Sequence, residues 1–276
     1  MKLRLSAILS QFHRWLSRSG MVVSVVIKVR NQCQAIIRSR LNDGIDPDQN
    51  GEYLLISLVA PEARIFIDVG ANVGKWAERF AETMKQPGLG LLVEPSPEAL
   101  AELNNTVSGL NCETEIINAA AGDRCDVLTF FSEPHSGETS SLVPGFSGKN
   151  ACEITVPMTT IDYEISSRGL EFIDFLKIDA EGFDLKVLKG TKQALSTGRI
   201  GIVQFEYNSP WAQVNSMLAE AMCMLSEYGY EVFLLKRNGL YKIRYELYGE
   251  YYGYSNYVAV SKKYYYKISS LQNGEI

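Results

Sequence analysis

The sequence predicts a doubly wound α/β domain, a mostly parallel sheet covered by helices on both faces. Three observations carry this reading. From residue 51 onward, short and nearly continuous apolar runs alternate with amphipathic helical stretches; the first run ends in a glycine turn that opens straight into a helix; and the second ends in an acidic residue. Strands that are apolar on both faces belong to parallel sheets buried between helix layers. With 276 residues, 46% of them hydrophobic and 21% charged, the chain can bury a core without staples, which excludes disordered, collagen-like and disulfide-scaffold classes.

The elements follow in chain order. Residues 3–18 set Leu5, Ile8, Leu9, Phe12, Trp15 and Leu16 on one helical stripe, and Gly20 breaks the pattern. A second helical stretch runs to Leu41, against the β-branched content of Val22–Val29. The turn-forming segment 42–51 reads as a linker, so residues 1–48 are taken as an appendage and 49–276 as the main domain. Strands are then expected at Arg64–Val69, Gly90–Glu94, Glu115–Ala119, Phe172–Asp179 and Ile200–Tyr207. Helices should follow through Met84, from Pro97, from Phe183 and from Trp211. Between Asp126 and Ile161 the pattern is a strand pair with a polar loop at 132–150, and Tyr257–Val260 closes the pattern as an antiparallel last strand.

Charge is unevenly spread. Residues 1–41 hold eight basic groups and no acidic one, which leaves 19 basic against 32 acidic groups, a net of −13, for the rest. A basic arm of this kind suits an anionic membrane surface, a solvated helical face, or an apolar stripe that pairs two copies; the acidic body argues against nucleic-acid binding. The five cysteines are scattered, which fits free thiols in a reducing compartment. The apolar runs near the start are too short for a signal-peptide core or a membrane span, so a cytoplasmic protein, with or without membrane association, is expected.

Ligands of open α/β sheets bind beyond the carboxyl ends of the strands, so the residues after each apolar run carry the chemistry. The first run ends Asp68-Val-Gly70-Ala-Asn72-Val-Gly74, where glycines permit a tight turn and the following helix start offers free amides to an anion. Asn72 stands where a second glycine would admit a pyrophosphate, which disfavours a dinucleotide and with it a nicotinamide dehydrogenase. Glu94 lies 24 residues after Gly70, close to the offset at which an acid takes ribose hydroxyls. Small residues at Ala119 and Ala120 leave room for a flat ring or serve helix–sheet packing. The fourth run, Phe175-Leu-Lys177-Ile-Asp179-Ala-Glu181-Gly182, places a lysine and an aspartate on one side of a buried strand, which is costly unless they are paired or used. An ion pair from Lys177 to Glu181 or to Glu206 is the structural alternative. The fifth run brings Glu206 to the same edge.

Phe66-Ile-Asp-Val-Gly-Ala-Asn-Val-Gly74, Val93-Glu-Pro95, Asn118-Ala-Ala-Ala-Gly-Asp123, Thr159-Thr-Ile-Asp162, Phe175-Leu-Lys-Ile-Asp-Ala-Glu-Gly182 and Gln204-Phe-Glu206 resemble the successive motifs of the FkbM-family methyltransferases. The resemblance covers about residues 60–210. It implies the class I methyltransferase Rossmann-like fold and S-adenosyl-L-methionine as cofactor. It further implies that Asp68, Gly70, Asn72 and Gly74 hold the methionine part, Glu94 the ribose, and Ala119 and Ala120 the adenine, with Asp179 near the amino group or sulfonium. Asp179, Glu181, Glu206 and His135 are the candidate bases, His135 lying in a polar loop that either reaches over the site or is simply solvated. Carboxylates could hold Mg²⁺, but the resemblance requires no metal and none is expected.

The family association implies methyl transfer to a hydroxyl of a sugar in a surface glycan or glycolipid precursor. A polyketide or other small metabolite is the alternative acceptor, and a cofactor-binding scaffold without catalysis the non-enzymatic one. Ten of fifteen tyrosines fall between Tyr241 and Tyr266, suited to sugar rings, to a subunit interface in a homodimer, or to packing in a tyrosine-rich hairpin.

Overall fold

The computed structural model describes residues 2–132, 141–143 and 151–276. It comprises two compact units, Met1–Leu41 and Asn42–Ile276.

The first unit is two helices, α1 (Lys2–Leu16) and α2 (Gly20–Leu41). The break falls at residues 17–19, and Gly20 is the first residue of α2 rather than the breaker. Ser19 supplies the reason, its Oγ accepting the Val22 amide at 3.4 Å in the N-cap manner. The β-branched run inside α2 does not stop it, because propensity differences are a few tenths of a kcal/mol per residue, on the order of RT.

The second unit opens with α3 (Pro47–Asn50) and α4 (Glu52–Val59), then β1 (Ile65–Val69), α5 (Lys75–Thr83), β2 (Leu89–Val93), α6 (Pro97–Val107) and β3 (Glu113–Ile117). An excursion of β4 (Ala120–Ala121), β5 (Asp126–Ser132) and β6 (Cys152–Thr159) precedes α7 (Ile161–Ser167), β7 (Ile173–Ile178), α8 (Asp184–Lys189), α9 (Lys192–Ser196) and β8 (Ile200–Tyr207). The chain ends through α10 (Leu218–Glu227), β9 (Tyr230–Lys236), β10 (Gly239–Lys242), α11 (Tyr245–Tyr248), β11 (Ser255–Ser261), α12 (Tyr265–Ile268) and β12 (Gln272–Glu275).

Nine strands form one sheet in the order β12-β10-β9-β11-β8-β7-β1-β2-β3. From β8 to β3 every neighbour is parallel, and β11 enters antiparallel between β8 and β9 as expected, but it is not the last strand, since β12 follows and pairs parallel with β10 at the sheet edge. β7 and β8 are buried along their whole length, which is why they read as continuous apolar runs. On one face Phe66, Trp76, Phe80 and Phe175 interlock, with Phe66–Phe80 ring centroids 4.7 Å apart and Trp76–Phe175 5.4 Å apart. The strand pair expected between residues 126 and 161 is the seven-residue β5–β6 ladder, which with β4 makes a separate small sheet.

Three local expectations change. Residues 42–48, grouped with the appendage from sequence, belong to the second unit, where Asp43 accepts the Arg237 amide at 2.8 Å and pairs with Lys236 Nζ at 2.9 Å. The helix expected from Trp211 is a single 3-10 turn at Ser209–Ala212, with Trp211 buried and its indole N–H given to Asp184 at 3.3 Å; α10 begins only at Leu218. The tyrosine-rich stretch is not a hairpin, since β10 and β11 each pair with β9 and not with one another. Its Tyr251, Tyr252 and Tyr257 pack around Tyr207, centroids 5.0, 5.7 and 6.3 Å away.

Candidate active site

The chain visits β1, β2 and β3 in one direction and returns to place β7 against the other side of β1, so the strand order reverses between β1 and β7. A crevice opens at such a switch point. Here the three strand ends are tied together by the backbone, the Gly70 and Ala71 amides reaching Val93 O at 2.9 and 3.2 Å and the Asp179 amide reaching Val69 O at 2.9 Å. Above them lies a cavity of about 520 Å³ lined by the Gly70–Val73 turn, Glu94, Ala119–Ala121, Phe130, Lys177, and Asp179–Glu181. Pro47 and Leu142 complete part of its wall.

The two glycines serve the fold before any ligand. Gly70 sits at φ +75, where a Cβ would stand 1.9 Å from Asp179 O. Gly74, at φ +86, caps α5 against α6, and its Cβ would meet Leu103 and Thr106 at 2.8 and 3.1 Å. Between them Asn72 takes a left-handed φ of 48 without being glycine, and its side-chain Oδ1 is buried with no partner. A left-handed residue other than glycine and an orphaned buried acceptor, both in a turn that lines a cavity, are features of a binding turn.

Glu94 is oriented before anything binds. Its Oε2 accepts the Asn72 amide at 2.8 Å and its Oε1 the Ser96 amide at 2.7 Å, leaving each oxygen a lone pair for a ligand donor. Burial pushes its carboxyl up to about 7, against the pull of the two amides. Ser96 also caps α6, and its hydroxyl and that of Ser132, at the end of β5, both meet Glu98 Oε2, at 3.1 and 2.6 Å. The small sheet is thereby fastened beside Glu94.

A row of charged groups forms the other end. Asp68 and Lys177 are register partners across β1 and β7, so Lys177 Nζ lies 3.7 Å from Asp68 Oδ1 and 3.0 Å from Asp179 Oδ2, with the Trp76 ring centroid 5.7 Å away. The alternative pairing of Lys177 with Glu181 or Glu206 is not what forms, because alternation along the strand puts Asp179 beside it and cross-strand register adds Asp68. Burial would push the Lys177 ammonium down, but Asp179, Asp68 and Glu52 outweigh it and hold it protonated. Asp68 is wholly buried and not among the lining residues, neither of its oxygens has a hydrogen-bond partner, and burial lifts its carboxyl to about 6 even with the Lys177 charge nearby.

Glu181 adopts φ +45, another left-handed non-glycine, and its carbonyl accepts the Ser141 hydroxyl at 2.7 Å. Its side chain and that of Glu206 share one donor, the Asn208 amide nitrogen, which lies 3.5 Å from Glu181 Oε2 and also donates to Glu206 Oε1. Burial and the neighbouring Asp179 push both carboxyls well above the usual range. Asp184, lifted to about 7 by burial and Asp179, is consumed by the fold, accepting the Ala180 and Gly182 amides at 3.3 and 3.2 Å besides the Trp211 indole.

The sequence-predicted residues thus divide. Gly70, Asn72, Glu94, Ala119, Ala120, Asp179 and Glu181 meet on one cavity; Asp68 and Gly74 lie behind its wall; Glu206 adjoins Glu181; His135 lies outside the described residues. Sequence reasoning missed Asn208, and also Glu52, a buried carboxylate receiving Asn50, Gln204 and Asn256 side-chain amides at 2.7, 2.9 and 3.1 Å. The signal for Glu52 was present, an acid opening the apolar helix Glu-Tyr-Leu-Leu-Ile-Ser-Leu-Val. A carboxylate with free lone pairs, a strained turn with an unpartnered acceptor and a wall of alanines fit an S-adenosyl group. Among the described residues no group of three or more His, Cys, Asp or Glu side chains is arranged to hold a metal ion.

Comparison with known proteins agrees in kind. The family profile described as Methyltransferase FkbM domain matches residues 68–232. The 2-O-methyltransferase NoeI of Sinorhizobium fredii (strain NBRC 101917 / NGR234) is 26% identical over 160 residues, 52% of this chain and 64% of that protein, so the chain spans less than two thirds of the relative's length. Among solved structures, an rRNA methylase from Streptococcus thermophilus aligns with TM-score 0.43 at 12% identity, over 76% of this chain and 93% of that one. The N-methyltransferase NodS from Bradyrhizobium japonicum WM9, in complex with S-adenosyl-L-homocysteine, aligns with TM-score 0.40 at 10% identity, over 76% and 84%.

Proposed function

The chain belongs to the FkbM methyltransferase family, and from that membership we propose that it transfers a methyl group from S-adenosyl-L-methionine to a hydroxyl oxygen of a sugar in a glycan or glycolipid precursor. The observation that carries the reading is one cavity lined both by an amide-oriented carboxylate, Glu94, and by Glu181, which shares the Asn208 amide with Glu206 behind it. The cofactor supplies an electrophilic methyl on a sulfonium. Glu94 takes the two ribose hydroxyls, Ala119 and Ala120 border the adenine, and the Gly70–Asn72 turn with Asp179 holds the amino-acid end. Positioning the acceptor hydroxyl against the bound cofactor and keeping water out would supply most of the acceleration.

Glu181 lines the cavity and takes the hydroxyl proton as the oxygen is alkylated, an aid of roughly 10²–10⁴ for so weak an acid. Asn208 and Glu206 orient it. An acid-and-amide rim of this kind suits a polyol, which offers several hydroxyl donors, and the likeness to a protein named 2-O-methyltransferase supports an oxygen acceptor. The test is calorimetric titration with S-adenosylhomocysteine and with NAD, followed by transfer of labelled methyl from the cofactor to a panel of free and lipid-linked sugars. Binding of the first, none of NAD, and label in a sugar ether are expected. A folded protein that ignores S-adenosylhomocysteine would overturn the cofactor, and label only in non-sugar acceptors would overturn the substrate class.

A further inference from the structure

We propose that the Met1–Leu41 unit docks this protein on an anionic lipid surface, an inference independent of the methyl-transfer reading. The unit has almost no interior of its own, since every described side chain from Ile8 to Arg40 is exposed or, at Leu16 and Val22, half-buried. Much of what it exposes is apolar. Ile8, Phe12 and Trp15 are 63%, 51% and 64% exposed on α1, and Met21, Val25, Val26 and Ile27 are 80%, 55%, 57% and 43% exposed on α2. Such side chains in water need a cover.

The width of the two faces identifies that cover. At about 100° per residue, Ile8, Leu9, Phe12, Trp15 and Leu16 span about 120° of α1, with Ser10, Gln11, His13 and Arg14 opposite. Along residues 21–29 of α2 the apolar arc widens to about 240°, with only Ser24 and Lys28 in the remaining sector. A second helix covers a seam, whereas a lipid interface surrounds whatever sinks into it. The nine-residue run rises only about 14 Å, half of a roughly 30 Å hydrocarbon core, and among the described residues no helix is long and apolar enough to cross a membrane. The segment therefore lies in the interface.

Charge commits the occupant. Eight basic groups and no acidic one stand among residues 1–41, while the remainder of the chain carries a net −13 that anionic lipid repels. The attraction is thus confined to the segment that also carries the exposed apolar side chains.

The test uses the full chain and vesicles of phosphatidylcholine with or without phosphatidylglycerol. Sedimentation with the anionic vesicles and not with the neutral ones is expected, weakening with added salt. Replacing the exposed Arg14, Arg18, Arg30 and Arg38 by Gln should lower the partition coefficient by roughly 10²–10³ while leaving the circular dichroism spectrum unchanged. Trp76 and Trp211 are buried, so a blue shift of emission on adding vesicles reports Trp15; it should vanish in Trp15→Phe, which still sediments. No binding to anionic vesicles, equal binding by the four-Gln variant, or a lipid-free Trp15 blue shift that grows with protein concentration would overturn the proposal, the last by assigning the face to a second copy of the chain.

Discussion

Glu94 offers the sharpest test, because it lines the cavity and each of its oxygens accepts one backbone amide and keeps a lone pair in hand. Two ribose hydroxyls donating to them make two charge-assisted hydrogen bonds, each worth about 1.5–3 kcal/mol. Their loss in Glu94→Ala should weaken S-adenosylhomocysteine binding by about 3–6 kcal/mol, roughly 10²–10⁴ in Kd. The pH dependence is a second signature. Hydroxyl donors favour the ionised carboxylate, and burial places its midpoint at about 7. The ionised fraction falls from about nine-tenths at pH 8 to about one-tenth at pH 6, so affinity should drop about tenfold over that interval.

The same carboxyl links to stability with the opposite sense. Unfolded it releases its proton near pH 4.3, folded near 7, so between these values the folded state binds more protons and stability declines as pH rises. Calorimetry at pH 6, 7 and 8 on the parent protein and on Glu94→Ala, with urea unfolding alongside, reads both effects. An alanine variant that binds within threefold of the parent, or that keeps the parent's pH dependence, would refute the reasoning.

Three further outcomes are expected. Gly70→Ala forces a Cβ to 1.9 Å from Asp179 O at a left-handed φ; urea unfolding should show a loss of about 2–5 kcal/mol, and a loss below about 1 would contradict the packing argument. Lys177→Met removes the counter-charge of the wholly buried Asp68 and of Asp179. It should cost about 3–5 kcal/mol at neutral pH, and, since burial and Asp179 already raise Asp68 to about 6 with Lys177 opposing them, the deficit should shrink as acidification protonates Asp68. Glu181→Gln should lower kcat by roughly 10²–10⁴ with KM little changed, and should flatten a pH–rate profile that in the parent climbs above the ordinary carboxylate range.

The parts of the site legible in the sequence are those whose geometry is local. A glycine turn after a buried strand, and an acid 24 residues later at the end of the next, sit at one sheet edge whenever both strands are parallel neighbours, as β1 and β2 are. The alternation along β7 correctly put Lys177 and Asp179 on one side, where they pair at 3.0 Å. Gly74 was legible as a turn residue but not as the seat of α6, because Leu103 and Thr106 approach it from 29 and 32 residues away. Likewise the insertion of β11 between β8 and β9 depends on pairing between segments about 25 and about 50 residues apart, which no window of the sequence displays. The turn at Trp211 had the composition of a helix start, yet the indole's burial against Asp184 holds it short of one.

By itself, then, the sequence determined the alternation of buried strands and helices, the turn that opens the crevice and the acid that faces it, since apolar period and glycine conformation act within a few residues of chain. Tertiary structure alone decided which carboxylate does what. Asp184 and Glu52 are absorbed by backbone and indole donors and by three side-chain amides, and Asp68 is sealed in the interior with Lys177 3.7 Å away as counter-charge, whereas Glu94 and Glu181 line the cavity. Five acids of similar chemistry are separated only by desolvation and by which donor lies within about 3 Å, and both are properties of through-space distance, to which neighbours along the chain contribute little.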